Sequence, residues 1–418
     1  MVRGILFVFL LGSGALFANH LLIPMDEQQA QHLKAYGAAY WILKKQVEVD
    51  WLLNYRGGSF MCDYHPDIQN ELVIRGVTHQ VISAAQANSI LTEIASPAAN
   101  ADIMKLEKVP RIAVYSPKSK QPWDDAVTLV LTYAEIPYDV IFDDEVLRND
   151  LPKYDWLHLH HEDFTGQYGK FYRSYGNFPW YIEQQKEAEE MARKHGFDKV
   201  SQLKLAVVNR IKEFIAGGGF LFAMCSATDS FDIALAAEGV DICAPMYDGD
   251  GADPQAQAKL DFTRTLAFTG FQLVNDPFEY EFSDIDNSQQ ERALRQENDY
   301  FNLFQFSAKW DPIPTMLTQN HTQTIQSFYG QTTGFKKKLI KPEVLVLGET
   351  SGIKEARYLH GILGKGFWTF YSGHDPEDYQ HTVYEEPTDL NLHPNSPGYR
   401  LILNNILFPA ARKKKQKT

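Results

Sequence analysis

Gly217-Gly-Gly-Phe-Leu-Phe-Ala-Met-Cys225-Ser-Ala-Thr-Asp229-Ser230 packs a helix end, a buried strand and a sharp turn into fourteen residues. Upstream, Leu203, Val207, Ile211, Phe214 and Ile215 recur at helical spacing, and the glycines supply the positive φ that ends such a helix. Phe220 to Met224 is apolar on both faces, as in a parallel sheet covered by helices. Cys225 therefore falls at the carboxyl end of a core strand. Ligands of open α/β sheets bind at that end, and a nucleophile on a strand-to-helix turn is presented to them.

Outward from this point the pattern alternates. Arg111–Tyr115, Tyr138–Phe142 and Trp156–His160 are predicted strands, 122–135 and 201–216 helices, and 165–200 an insertion with an aromatic loop and a charged helix. Val344–Gly348 and Gly364–Tyr371 add strands, and a last helix spans 397–408. The expected fold is α/β: a flavodoxin-like parallel sheet with helices on both faces over 106–410, with 239–340 a second insertion at the sheet edge. Leu33, Tyr36, Tyr40, Leu43, Val47 and Trp51 give an α-helical N-terminal region, 19–105, joined through Ser96-Pro-Ala-Ala-Asn.

Arg3 followed by the apolar run Ile5–Leu11 and small residues predicts a signal peptide over 1–18, and so an exported protein. That run is too short for a membrane span, which needs about 20 residues. The formal charge of −13 argues against nucleic acid as a partner; the basic tail, 411–418, is expected to be a solvated end. The expected partner is a small-molecule or carbohydrate-related ligand. Of Cys62, Cys225 and Cys243, the first and last are the pair to suspect of a disulfide.

Cys225 and His374 each end a predicted strand, so the two can meet on one rim. A thiol beside an imidazole is the basis of cysteine nucleophilic catalysis. Asp375 or Glu377 is placed to orient the imidazole. Ser226, Thr228 and Asp229, in the first turn after Cys225, are candidate ligand contacts, although Ser, Thr and Asp are also the preferred helix caps. His158 and His160 share a strand face, and His160 and His161 reach the rim as candidate ligand contacts. Spacing supplies no third ligand, so no metal is expected, and no cofactor. Asp248-Gly-Asp250-Gly-Ala-Asp253 lacks the final glutamate of a calcium loop and reads as a solvated turn. The aromatic group Phe171, Tyr172, Tyr175, Phe178, Trp180 and Tyr181 either packs the insertion or forms a sugar-stacking wall. A non-catalytic carbohydrate-binding protein using the same rim is the alternative to an enzyme.

Gly217-Gly-Gly-Phe with Ser226-Ala-Thr-Asp229, and Gly364-Lys-Gly with Tyr371-Ser-Gly-His374-Asp-Pro-Glu377 before a last helix, resemble the ThuA-like trehalose-utilisation family. That family lies within the class I glutamine amidotransferase-like superfamily. The resemblance covers about 110–410; it implies a flavodoxin-like sheet with Cys225 at the nucleophile position and His374 near the histidine of a glutaminase, which together with the signal-peptide pattern leads to the expectation of an exported hydrolase or transferase. Trp51-Leu-Leu-Asn-Tyr-Arg-Gly-Gly-Ser-Phe also resembles exported bacterial proteins labelled asparagine synthetase B. The Ser-Gly-Gly-x-Asp-Ser loop of a synthetase is not matched by Ser226-Ala-Thr-Asp-Ser230.

Overall fold

Phe220–Met224 is a strand in the computed structural model, which describes residues 19–119, 121–286, 295–380 and 382–412. It lies in a large mixed sheet built from β6 (Ile112–Tyr115), β7 (Asp139–Ile141), β8 (Trp156–Leu159), β9 (Phe220–Met224), β10 (Tyr300–Leu303), β11 (Thr324–Gln326), β12 (Phe335–Lys336), β13 (Leu345–Thr350), β14 (Glu355–Leu363) and β15 (Gly366–Tyr371). The order is β11-β10-β13-β14-β15-β9-β8-β6-β7, with β12 beside β14. One half, β7-β6-β8-β9-β15, is parallel. The other, from β15 to β11, is antiparallel, so the expectation of a wholly parallel sheet is corrected.

Side chains alternate along each central strand and feed two cores. Ile112 and Val114 of β6 and Phe222 and Met224 of β9 join one apolar cluster; Ala113, Tyr115, Leu221 and Ala223 join the other. The helices Ala126–Tyr133 and Pro397–Leu407 cover the first face, and Val200–Gly217 and Ser226–Ala236 the second. Burial on both faces is why β9 reads as an unbroken apolar run.

Residues 19–105 are not the α-helical region expected. They hold an antiparallel sheet of β1 (Asn19–Ile23), β2 (Val49–Leu53), β3 (Ser59–Asp63), β4 (Gln80–Ser83) and β5 (Asp102–Leu106), ordered β4-β1-β3-β2-β5, with the helices His32–Lys44, Pro66–Ile74 and Ala84–Ala95. The expected long helix stops at Lys44; Gln46, at φ 62°, turns the chain into β2. Nor is the region a separate body, because Leu33, Tyr36, Tyr40 and Trp51 share one apolar cluster with Tyr399, Leu403 and Leu407. Tyr36 donates its hydroxyl to Asn404 Oδ1 at 2.5 Å, and Arg400 donates to the carbonyls of Met25 and Gly57 at 3.0 and 2.7 Å.

All three cysteines are free thiols, which corrects the suspected Cys62–Cys243 bridge. Cys62 belongs to the core under β3, whereas Cys243 sits among Tyr168, Tyr181 and Tyr247 and donates toward the Thr165 carbonyl. The signal-peptide segment and residues 413–418 of the basic tail lie outside the described residues. No described helix is long and apolar enough to cross a membrane.

Candidate functional site

Cys225 follows β9 and precedes the helix Ser226–Ala236, at φ 51° and ψ −140°. For a residue with a Cβ this is a strained conformation that costs about 1–3 kcal/mol. Hydrogen bonds over-determine it. The Cys225 amide donates to the Gly373 carbonyl at 3.2 Å, and its own carbonyl accepts the Thr228 amide at 3.2 Å and the Thr228 hydroxyl at 2.7 Å. The Ala227 amide donates to the His160 carbonyl at 3.0 Å. The backbone N–H groups of Ser226 and Gln331 are directed at the thiol. Burial pushes that thiol up to about 12, against the pull of these two amides.

His374 comes from the neighbouring strand. β15 runs parallel to β9, so both strands end on one rim, and Gly373, at φ 86°, turns the chain there. The Gly373 and His374 amides donate to the carbonyls of Thr332 at 2.9 Å and Tyr329 at 2.8 Å. Cys225, Ser226, His161 and His374 consequently line one pocket of about 470 Å³, walled by Trp123, Phe171, Tyr175, Tyr280 and Tyr329 and floored in part by Gln331.

β8 ends beside this pocket and delivers the histidines. The His160 and His161 rings stack at 3.9 Å, and the His374 ring lies 4.5 and 4.6 Å from them. His374 Nε2 is 3.3 Å from His161 Nε2, which is also 2.8 Å from the Asp124 carbonyl. Asp125 lies half-buried behind them. Its Oδ2 lies 3.1 Å from His158 Nε2 and 3.2 Å from His160 Nδ1, and its Oδ1 accepts the Thr128 amide at the start of Ala126–Tyr133. Burial opposes ionisation of Asp125, but the two imidazoles outweigh it and hold the carboxyl well below the usual carboxylate range.

The remaining expected residues have other work. Thr228 turns its hydroxyl back onto the Cys225 carbonyl and does not cap the helix. Asp229 is buried, accepts the Thr332 hydroxyl at 2.8 Å, and is pushed by burial to about 7. Glu377 pairs with His393 at 3.1 Å, and Asp375 accepts the Glu377 amide at 2.9 Å. The aromatic group divides: Phe171 and Tyr175 face the pocket, while Tyr181 is buried with Tyr168.

Asp125, Trp123, Tyr280, Tyr329 and Gln331 were not legible as site residues. Asp125 before Ala-Val-Thr128 carries a helix-cap signal, which hides its second role. Tyr280, Tyr329 and Gln331 come from the irregular 239–340 stretch, where no periodicity places a side chain. A second cavity of about 790 Å³ shares Trp123 and His161 and extends under the helix Pro179–Lys194, past Glu162, which burial pushes up to about 8.

No family model and no curated protein matches this chain. Among solved structures, the cytoplasmic protein STM3548 from Salmonella typhimurium is similar at 10% identity and a TM-score of 0.33, over 73% of this chain and 100% of that one. STM1381 from Salmonella typhimurium LT2 is similar at 12% and 0.33, over 72% and 100%. A beta-galactosidase from Bacillus circulans sp. alkalophilus is similar at 12% and 0.27, over 69% of this chain and 32% of that one. At such TM-scores the likeness carries neither mechanism nor substrate to this chain.

Proposed function

We propose that the chain is an amidotransferase-like hydrolase or transferase that acts through Cys225 and His374 on a small polar or carbohydrate-related molecule. The observation that carries this reading is the φ of 51° at Cys225, a strained turn that aims a thiol into a pocket shared with an imidazole. The order of the parallel half supports the flavodoxin-like expectation. Numbered along the chain, its strands run 2-1-3-4-5.

Burial of the thiol favours a neutral resting pair over a preformed thiolate. Sγ adds to a carbonyl carbon as its proton passes to the imidazole; the imidazolium returns that proton to the departing amine or alcohol, leaving a thioester for water or an acceptor. The amides of Ser226 and Gln331 are the nearest donors to the developing charge.

Intact-mass spectrometry after exposure to a panel of small activated amides and esters tests this. The expected result is an acyl adduct that maps to Cys225, is absent in Cys225→Ala, and forms at least about tenfold more slowly in His374→Gln. The aromatic wall favours one other reading, a carbohydrate-binding protein. Saturable sugar binding that Cys225→Ala leaves unchanged, with no adduct from any donor, would establish it and remove the enzyme.

A further inference from the structure

The rim holds three imidazoles from two strand ends, and the thiol reading uses only one. One ring nitrogen from each of His160, His161 and His374 falls within a group whose atoms all lie within 4.8 Å of one another. The His161 and His374 Nε2 atoms are 3.3 Å apart. Two nitrogens on a tetrahedral zinc, each about 2.0–2.1 Å from the metal, stand roughly 3.3–3.4 Å apart. We propose that His160, His161 and His374 bind a divalent transition-metal ion of the zinc class, with Asp125 as the carboxylate behind His160.

Asp125 strengthens the assignment because metal-bound histidines hand their other nitrogen to a carboxylate or carbonyl. Its Oδ2 lies 3.2 Å from His160 Nδ1, the position such a carboxylate takes behind a metal-bound imidazole. Nitrogen donors select zinc, cobalt, nickel or copper over calcium or magnesium, which take oxygen. His161 and His374 line the pocket, so a fourth coordination position opens toward a ligand, as in catalytic rather than structural zinc sites.

Two neighbouring groups fit a cation less well. His158 is fully buried with both nitrogens engaged, on the Phe222 carbonyl at 3.3 Å and Asp125 at 3.1 Å. Among Asp241, Cys243 and Asp248, the Lys199 ammonium already pairs with Asp241, Asp248 and Asp250. At the proposed site, the present contact of His161 Nε2 with the Asp124 carbonyl must give way as its proton shifts to Nδ1 or leaves.

The inference goes beyond the thiol reading and does not depend on it. With an ion bound, the His374 lone pair is occupied, so proton acceptance from Cys225 belongs to the metal-free form. Calorimetric titration of the chelator-treated full chain with zinc chloride tests the site without any turnover. One equivalent is expected, weakened at least about a hundredfold in His161→Gln and in His374→Gln, and about 10–100-fold in Asp125→Asn. Cobalt(II) loading of the unaltered protein guards against variants that misfold: a zinc-displaceable visible spectrum that survives Cys243→Ser is expected. No zinc binding, unchanged binding in His161→Gln and His374→Gln, or a cobalt spectrum lost in Cys243→Ser would each overturn the assignment.

Discussion

Backbone strain at Cys225 decides what a substitution there does. Alanine keeps a Cβ at φ 51° and so keeps the strain, whereas glycine relieves it. Glycine ordinarily destabilises by about 0.5–1 kcal/mol relative to alanine in regular structure. Here the order reverses: Cys225→Gly is expected to be about 1 kcal/mol more stable than Cys225→Ala in urea unfolding. An alanine variant that is the more stable of the two would show that the turn is unstrained. The thiol itself carries a second expectation. Because burial holds it near 12, its alkylation by iodoacetamide in the folded protein should be slow at pH 7 and keep rising past pH 9, where a free cysteine of about 8.5 levels off. A plateau below pH 8 would mean a preformed thiolate and a different role for His374.

At the scale of elements, legibility followed the purity of the pattern. β9 was readable because it is apolar throughout, and the helices Val200–Gly217 and Pro397–Leu407 because apolar residues at helical spacing dominate their buried faces, even though Lys204 on the first and Arg400, Asn404 and Asn405 on the second are buried as well. The strand β14, Glu355–Leu363, was missed because two of its buried residues are charged. Arg357 there reaches Asp299 at 3.1 Å and Glu355 at 2.5 Å, with all three nearly inaccessible to water. Its partner Asp299 is 58 residues away, a pairing that no local periodicity reveals. Nor did anything near Cys225 announce Asp125, since the two meet only through the rim histidines. Replacing Arg357 with leucine strands two buried carboxylates and should destabilise the protein by about 3–5 kcal/mol. Substituting Asp299→Asn and Glu355→Gln in the same background should recover a large part of that loss. Full stability of Arg357→Leu alone in urea would show that the cluster does not hold the antiparallel half in place.

The whole molecule is joined along the seam between the N-terminal sheet and the last helix, and that seam is built to fail in acid. His32 and His321 stack at 4.3 Å beside Arg400, which lies 3.0 Å from His321 Nδ1. Burial, then the Arg400 charge, lowers their folded values from 6.5 to about 4 for His32 and about 3 for His321. The sign follows from linkage: below pH 6.5 the unfolded chain takes up protons that the folded chain refuses, so unfolding gains. The stability due to the neutral pair is complete above pH 6.5 and drains as pH falls toward 4 and 3. The double variant His32→Gln, His321→Gln should therefore show a flatter fall of unfolding free energy between pH 7 and pH 5 than the unaltered chain. Equal slopes in urea titrations across that interval would place the acid sensitivity elsewhere. The same seam governs cleavage. The segment 96–100 is largely exposed and can be nicked, but Tyr36, Trp51 and Leu403 lie in one core, so both fragments should elute together in size exclusion. Residues 106–418 produced alone should not fold, because the apolar face that receives the helix His32–Lys44 would stand open to water. Cooperative unfolding of that truncated chain would show instead that the N-terminal sheet is an independent unit, and that the Tyr36–Asn404 and Arg400–Gly57 hydrogen bonds only dock it.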